Sequence, residues 1–324
     1  MKKILKIFPL IWLLLGSIIL GMTIYGYWLL QRTDMKGKEI YYLIQDKQDI
    51  EIKQKEISEE AIFDPNNIHP VDTKEFAIAQ LHYEELVDEW GIGKIFLPSA
   101  SIQTTILAGM NNDHLMVGVG TYLKEQRLGK GNYVLLAHNL VQGGGTLKNL
   151  PQTKNHTLIY ATDFSNVYEY RVTKNQIIHQ FESEVLDHPK EKQKPVLTLI
   201  RCEGGLNTEN RAVVQGEYVR EYPEEEANDK LKGKLGLVSL AKKTNQATKD
   251  IGVLEESGQQ RKGNAINTSP HLVREVQTEG LEKIGLPVYS SVEKLGIWLV
   301  QQFSDFDTLL YYSCLYLLVL ILLM

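Results

Sequence analysis

Residues 197–219, LTLIRCEGGLNTENRAVVQGEYV, hold two apolar, β-branched runs separated by a Gly- and Asn-containing segment. Runs of that composition bounded by turn residues read as two strands joined by a loop. The first run ends at Cys202 and the second opens at Arg211. The chain has 324 residues and only 2 cysteines, so a cysteine at a strand end needs a reason. The other, Cys314, lies in an apolar C-terminal run, far away in sequence and in expected environment. A disulfide framework is therefore not expected, and Cys202 is read as a free thiol.

The same texture extends on the N-terminal side. KIFLPS, TTILAG, NYVLLAH, HTLIYAT, VYEYRVTKNQII and KPVLTLIRC precede RAVVQGEYV, each set off by Gly, Pro or Asn/Asp clusters. Seven or eight short strands between about residues 92 and 222 predict a mostly β fold, a closed or nearly closed barrel. KEQRLG, before His138, is expected to be a short helix or turn. Upstream, VDTKEFAIAQLHYEELVDEW carries a loose helical stripe of Phe76, Ala79, Leu81, Leu86 and Val87, with Asp72 or Thr73 as its cap.

The ends differ from the middle. Residues 7–30 carry no charge and exceed the roughly 20 apolar residues that cross a bilayer. A secretory h-region is shorter, about 7–15 residues, and no small-x-small cleavage site follows here, so an uncleaved anchor is expected. Residues 308–324 are also uncharged and are expected to form a second transmembrane helix. The organisation that follows is a cytoplasmic tail (1–6), an anchor (7–30), a charged stalk (31–60), a β-barrel domain (61–222), a polar linker (223–307) and the second span (308–324). Lysines and arginines flank the first span on both sides, so charge decides its orientation weakly. A short tail inside and the large domain outside the cell membrane is the arrangement adopted. The formal net charge of −5 and the lack of a polybasic tract argue against a nucleic-acid partner.

A cysteine nucleophile needs a base, a proton donor for the leaving group and a donor for the carbonyl oxygen. Most of the 8 histidines sit among polar neighbours, as surface side chains do. His138 instead ends a strand-like run, GNYVLLAHN, ahead of the Gly-rich VQGGG, where a side chain can enter a cleft. Arg211 brings a permanently charged, planar donor set. TLIRC at 198–202, Arg211 in RAVVQGE and GKGNYVLLAHN upstream together resemble the sortases, membrane-anchored transpeptidases of Gram-positive bacteria. FDPNNIHPVDTKEFAIAQ and VYEYRVTK look like the class A subgroup. The resemblance covers roughly residues 61–222.

That resemblance implies an eight-stranded sortase β-barrel with short helices, and a peptidase-like acyl transfer. Cys202 would be the nucleophile, His138 the acid/base and Arg211 the carbonyl stabiliser. Val185, Leu186 and Ile200 would line the pocket for the Leu and Pro of a Leu-Pro-x-Thr-Gly (LPXTG) signal. The implied partners are secreted proteins bearing that signal, the membrane, and an acceptor amine from a cell-wall precursor or a pilin lysine. No cofactor is expected. Some sortases bind calcium, but the corresponding positions here are Leu123, Gln126 and Lys130, a poor oxygen-ligand set, and no zinc-like Cys/His spacing occurs. Three departures stand out. Arg201 replaces the Thr that usually precedes the cysteine, and strand alternation predicts that it faces away from Cys202. Gly143, Gly144 and Gly145 follow His138. The apolar tail is commoner in pilin-polymerising class C enzymes, yet Asp64-Pro65 is followed by Asn66 and not by the aromatic of their lid. A lysine-joining pilin polymerase and a catalytically weak binding module are the alternatives.

Overall fold

The computed structural model describes residues 2–31, 41–44, 47–139, 145–204, 208–238, 281–284, 289–304 and 306–323. Eight strands close a barrel: β2 (Gly91–Leu97), β3 (Ile102–Leu107), β4 (Val119–Thr121), β5 (Asn132–Ala137), β6 (Leu158–Thr162), β7 (Asn166–His179), β8 (Val196–Glu203) and β9 (Asn210–Pro223). Their order around the barrel is β2-β3-β4-β5-β8-β9-β7-β6, closed by β6 on β2. Alternation drives this arrangement. Ile95 and Leu97, Tyr133 and Leu135, Leu197 and Leu199, and Ala212 and Val214 are fully or almost fully buried and share one interior cluster. In a strand, i and i+2 face the same side, so the residues between them face outward.

The seven runs read as strands all pair in the barrel. The eighth strand, β4, is a three-residue Val-Gly-Thr with no run of its own. It lies parallel to β3, and a parallel neighbour requires a crossover. Helix α5 (Asn112–Val117) supplies it. Its buried residues His114, Leu115, Met116 and Val117 cover both sides of one short turn, so no amphipathic period marks it in the sequence. KEQRLG lies in turns.

Helices pack outside the barrel in a second cluster. The expected stripe at 71–90 forms two helices, α3 (Thr73–Leu81) and α4 (Tyr83–Trp90), which meet at His82. Asp72 caps α3 in a capping box: Asp72 Oδ1 accepts from Glu75 N at 2.8 Å, and Glu75 Oε2 accepts from Asp72 N at 3.2 Å. In the segment expected as a stalk, α2 (Lys47–Glu60) is docked on the barrel. Its Ile50 is buried, and Gln54 Nε2 donates to Ile92 O and Asp163 O at 2.8 and 2.7 Å. A small sheet, β10-β1-β11, joins β1 (Tyr41–Ile44), β10 (Leu237–Val238) and β11 (Leu281–Ile284).

The first helix, α1 (Lys2–Leu30), contains the single segment among the described residues that is long and apolar enough to cross a membrane, Ile11–Leu30, with mean hydropathy 1.8. Within the segment expected as a polar linker, the structure forms α6 (Asp229–Leu235) and α7 (Ser291–Phe303). Helix α8 (Phe306–Leu323) follows. Helix α7 meets α1 backbone to backbone: a Cβ at Gly26 would collide with the Gly296 carbonyl. Further along, Trp12 of α1 stacks on Tyr316 of α8 at 5.5 Å between ring centroids. The other end of this unit joins α3 and α5. Leu29, Leu30, Ile297 and Val300 share the second cluster with Phe76, Ala77, Met116 and Val117. Tyr289 Oη donates to Gln80 Oε1 at 3.0 Å, and Gln80 Nε2 donates to Met116 O at 2.9 Å.

One histidine contradicts the surface expectation. His114 is 1% exposed, with Nδ1 2.8 Å from Ala108 O. Burial lowers its pKa from 6.5 to about 4. The unfolded chain therefore takes up this proton at a higher pH than the folded one. Stability should be full above about pH 6.5 and should fall as pH drops toward about 4. Denaturant melts across that window should show the slope, and His114→Gln should reduce it.

Candidate active site

Strand register builds the site. Strands β5 and β8 run parallel, with Ala137 opposite Arg201. One residue beyond that pair come His138 and Cys202, at the same end of the two strands. On the other flank, β9 runs antiparallel to β8 and sets Arg211 directly opposite Cys202. Alternation then gives all three the same face. Val134, Ile200 and Val213, each an even number of residues from His138, Cys202 and Arg211, form a separate outer cluster with Ile178. Val185 and Leu186 pack on it from the 3₁₀ turn Ser183–Leu186. The three expected pocket residues thus meet in one apolar patch, on the face that carries His138, Cys202 and Arg211 at its end.

A polar network that the sequence did not reveal holds this patch together. Asn132 Nδ2 donates to Val185 O and Asp187 O at 2.9 and 3.0 Å, and Thr198 Oγ1 donates to Asn132 Oδ1 at 2.7 Å. Gln215 Nε2 reaches Val185 O at 3.2 Å and Thr198 Oγ1 at 3.1 Å. Three neighbouring strands thereby pin the turn against the patch. A β-branched hydroxyl on the outer face of β8 is the one local sign of this role, and spacing alone does not disclose its partners.

Cys202 is half-buried and unpaired by any disulfide. His138 is 9% exposed, and burial first, then the charge of His69, lower its pKa from 6.5 to about 4. At neutral pH its imidazole is uncharged. Its Nε2 lies 2.8 Å from Asn112 Oδ1. The Arg211 guanidinium is held by its own loop: Nη1 donates to Thr208 O and Asn210 O at 2.7 and 2.9 Å, and Nη2 donates to Gln180 Oε1 at 2.9 Å. These bonds occupy three of its five N–H groups. Arg201 faces the other way, as alternation predicts. It is 6% exposed, pairs with Glu203 at 2.5 Å, and donates from Nη1 to Cys202 O at 2.8 Å. It ties down the strand end from the side opposite the thiol. Asp64 spends its carboxylate on Asn66 N and Nδ2, at 3.0 and 2.8 Å, capping its own turn.

Beyond His138, Gly143 and Gly144 lie outside the described residues. Gly145 has φ +103°, and a Cβ there would come within 2.6 Å of His138 O. Both the conformation and the space demand glycine. No group of three or more His, Cys, Asp or Glu able to hold a metal occurs among the described residues.

A closed eight-stranded barrel thus brings a cysteine, a histidine and an arginine to one end of three adjacent strands. The sequence comparisons name the family. The Sortase domain profile matches residues 95–219. Sortase A of Bacillus anthracis is 30% identical over 220 residues, covering 67% of this chain and 96% of that protein. Sortase A of Listeria monocytogenes is 33% identical over 126 residues, covering 39% of this chain and 55% of that protein. A solved structure of Listeria monocytogenes sortase A aligns over 45% of this chain and 97% of its own, with 30% identity and a TM-score of 0.41. The chain belongs to the sortase family.

Gly145→Ala should destabilise the protein by about 1–3 kcal/mol, the usual cost of forcing a side chain into such a conformation. Equilibrium denaturation would measure it, and a change below about 0.5 kcal/mol would contradict the close approach.

Proposed function

We propose that the protein is a membrane-anchored cysteine transpeptidase acting on LPXTG-type signals. The observation that carries this reading is the register that sets Arg211 opposite Cys202 and brings His138 to the same end of the neighbouring strand, beside an apolar patch. In the first half-reaction Cys202 Sγ attacks the Thr carbonyl carbon and its proton passes to His138. Arg211 donates to the carbonyl oxygen as negative charge develops. The Thr–Gly C–N bond breaks, His138 returns the proton to the leaving Gly amine, and a Cys202 thioester remains. In the second half an acceptor amine attacks the thioester, loses a proton to His138, and Cys202 leaves and is reprotonated. At neutral pH the resting His138 imidazole is uncharged and so has a lone pair for the thiol proton.

Val185, Leu186 and Ile200 would receive the apolar part of the signal; their shared cluster supports that role. The acceptor would be an amine of a cell-wall precursor. Helix α1 would span the membrane with the barrel outside the cell. The packing of α7 and α8 on α1 supports a second span in α8 and includes α7 in the anchor. The apolar residues Val292, Leu295 and Trp298 stay exposed on α7, as lipid contact would require.

The test uses the full chain in detergent, a Leu-Pro-x-Thr-Gly peptide, and either oligoglycine or a lysine amine, read by mass spectrometry. The reading requires a Cys202 acyl adduct and an amine-dependent product. Preference for lysine would move it to pilin joining, and a folded protein giving neither adduct nor cleavage would refute it. Cys202→Ala and His138→Ala should each abolish turnover. Arg211→Lys should lower kcat by about 10²–10³-fold, the usual loss for an oxyanion donor, whereas Arg201→Thr should retain activity or raise it.

A further inference from the structure

Asn112, the first residue of α5, faces His138 across a short hydrogen bond. Its Oδ1 lies 2.8 Å from His138 Nε2 and 3.1 Å from the backbone N of His69. A backbone N–H can only donate, so the atom it meets is the amide oxygen and not the nitrogen. That fixes the other bond. His138 Nε2 must also donate, and both lone pairs of Oδ1 are then used. The amide nitrogen of Asn112 turns toward the His69 ring, 3.1 Å from each ring nitrogen. A neutral imidazole has one N–H, so with Nε2 protonated the lone pair sits on Nδ1.

The helix that carries Asn112 is itself anchored. His138 N donates to Leu115 O at 2.9 Å, so α5 grips the histidine by backbone and by side chain. On its other side, Met116 O accepts from Gln80. The segment before α3 closes the arrangement, since His69 N is the donor that orients the amide and Met110 N donates to Ile62 O at 2.9 Å.

We infer that Asn112 is a positioning residue that holds His138 in the Nε2–H tautomer, leaving Nδ1 as the nitrogen that exchanges protons with Cys202 and the amines. The catalytic part of this inference rests on the transpeptidase reading; the tautomer part does not. In the acylation step the thiol proton moves to Nδ1 as the S–C bond forms, and the same Nδ1 proton goes to the leaving amine. The Nε2–H bond to Asn112 persists throughout, and it strengthens while the ring is an imidazolium.

The tautomer is read in the full chain in detergent, labelled with ¹⁵N-histidine, by long-range ¹H–¹⁵N spectra assigned with His138→Gln. Wild type should show His138 Nε2 protonated and Nδ1 bare at neutral pH. Asn112→Ala should lose the single-tautomer signature. In the peptide assay it should lower kcat about 10–100-fold with KM within about 2-fold, the scale of one charge-assisted hydrogen bond. Asn112→Asp, which accepts the same two bonds, should restore the signature and shift the His138 titration upward. A wild-type His138 protonated at Nδ1 would overturn the inference without any variant. An Asn112→Ala protein that keeps the Nε2–H signature would do the same. If the tautomer changes as expected while wild type shows no peptide turnover, the transpeptidase reading fails and the positioning of His138 stands.

Discussion

The site depends on one constraint, the pairing of β8 with a parallel neighbour on one side and an antiparallel neighbour on the other. Parallel pairing with β5 brings two strand ends to the same pole, so His138 and Cys202 emerge together. Antiparallel pairing with β9 makes the next strand begin where β8 stops, which brings Arg211 to the same pole. A slip of one residue in either ladder would turn one partner to the barrel interior. The buried interior set prevents that slip. Leu197 and Leu199 would have to leave the core for Thr198 and Ile200 to enter it.

The two faces of β8 therefore serve different purposes with adjacent residues. The inward face is apolar until the last turn of the pattern, where Arg201 takes the position. A buried guanidinium is costly unless it is paired and hydrogen-bonded. Here Glu203 and the Cys202 carbonyl provide the pairing. The departure from the family's usual Thr is thus absorbed on the face opposite the thiol, and the outer face keeps its sequence of Thr198, Ile200 and Cys202.

How much of this was legible follows from range. The long strands were visible because alternation over six or more residues is a local signal, and the family motif sits on two of them. Strand β4 and helix α5 were not, because three and six residues are too few to show a period, and α5 is buried on most sides. Helix α7 did leave a sign. Ser290 and Glu293 form a capping box, with Glu293 Oε2 accepting from Ser290 N at 2.9 Å, and Ser-x-x-Glu before an apolar stretch is a helix-start pattern. The charged residues on its N-terminal side concealed it. Asn112 left no sign: its oxygen matters because two chain segments, 43 residues before it and 26 after it, converge there.

That convergence explains why the helical layer matters to a site built on strands. Register fixes where the Cα atoms of Cys202, His138 and Arg211 lie, but a histidine at a strand end still has a rotatable ring and two tautomers. Cross-strand pairing constrains neither. The elements that constrain them are α5 and the segment before α3, and these sit in the second cluster with Leu29 and Leu30 of α1 and Ile297 and Val300 of α7. The barrel alone thus supplies the positions of Cys202, His138 and Arg211. The orientation of the His138 ring comes from the layer that also receives the proposed membrane helices. Strand motifs therefore disclose where the three residues meet and leave open how the imidazole is aimed.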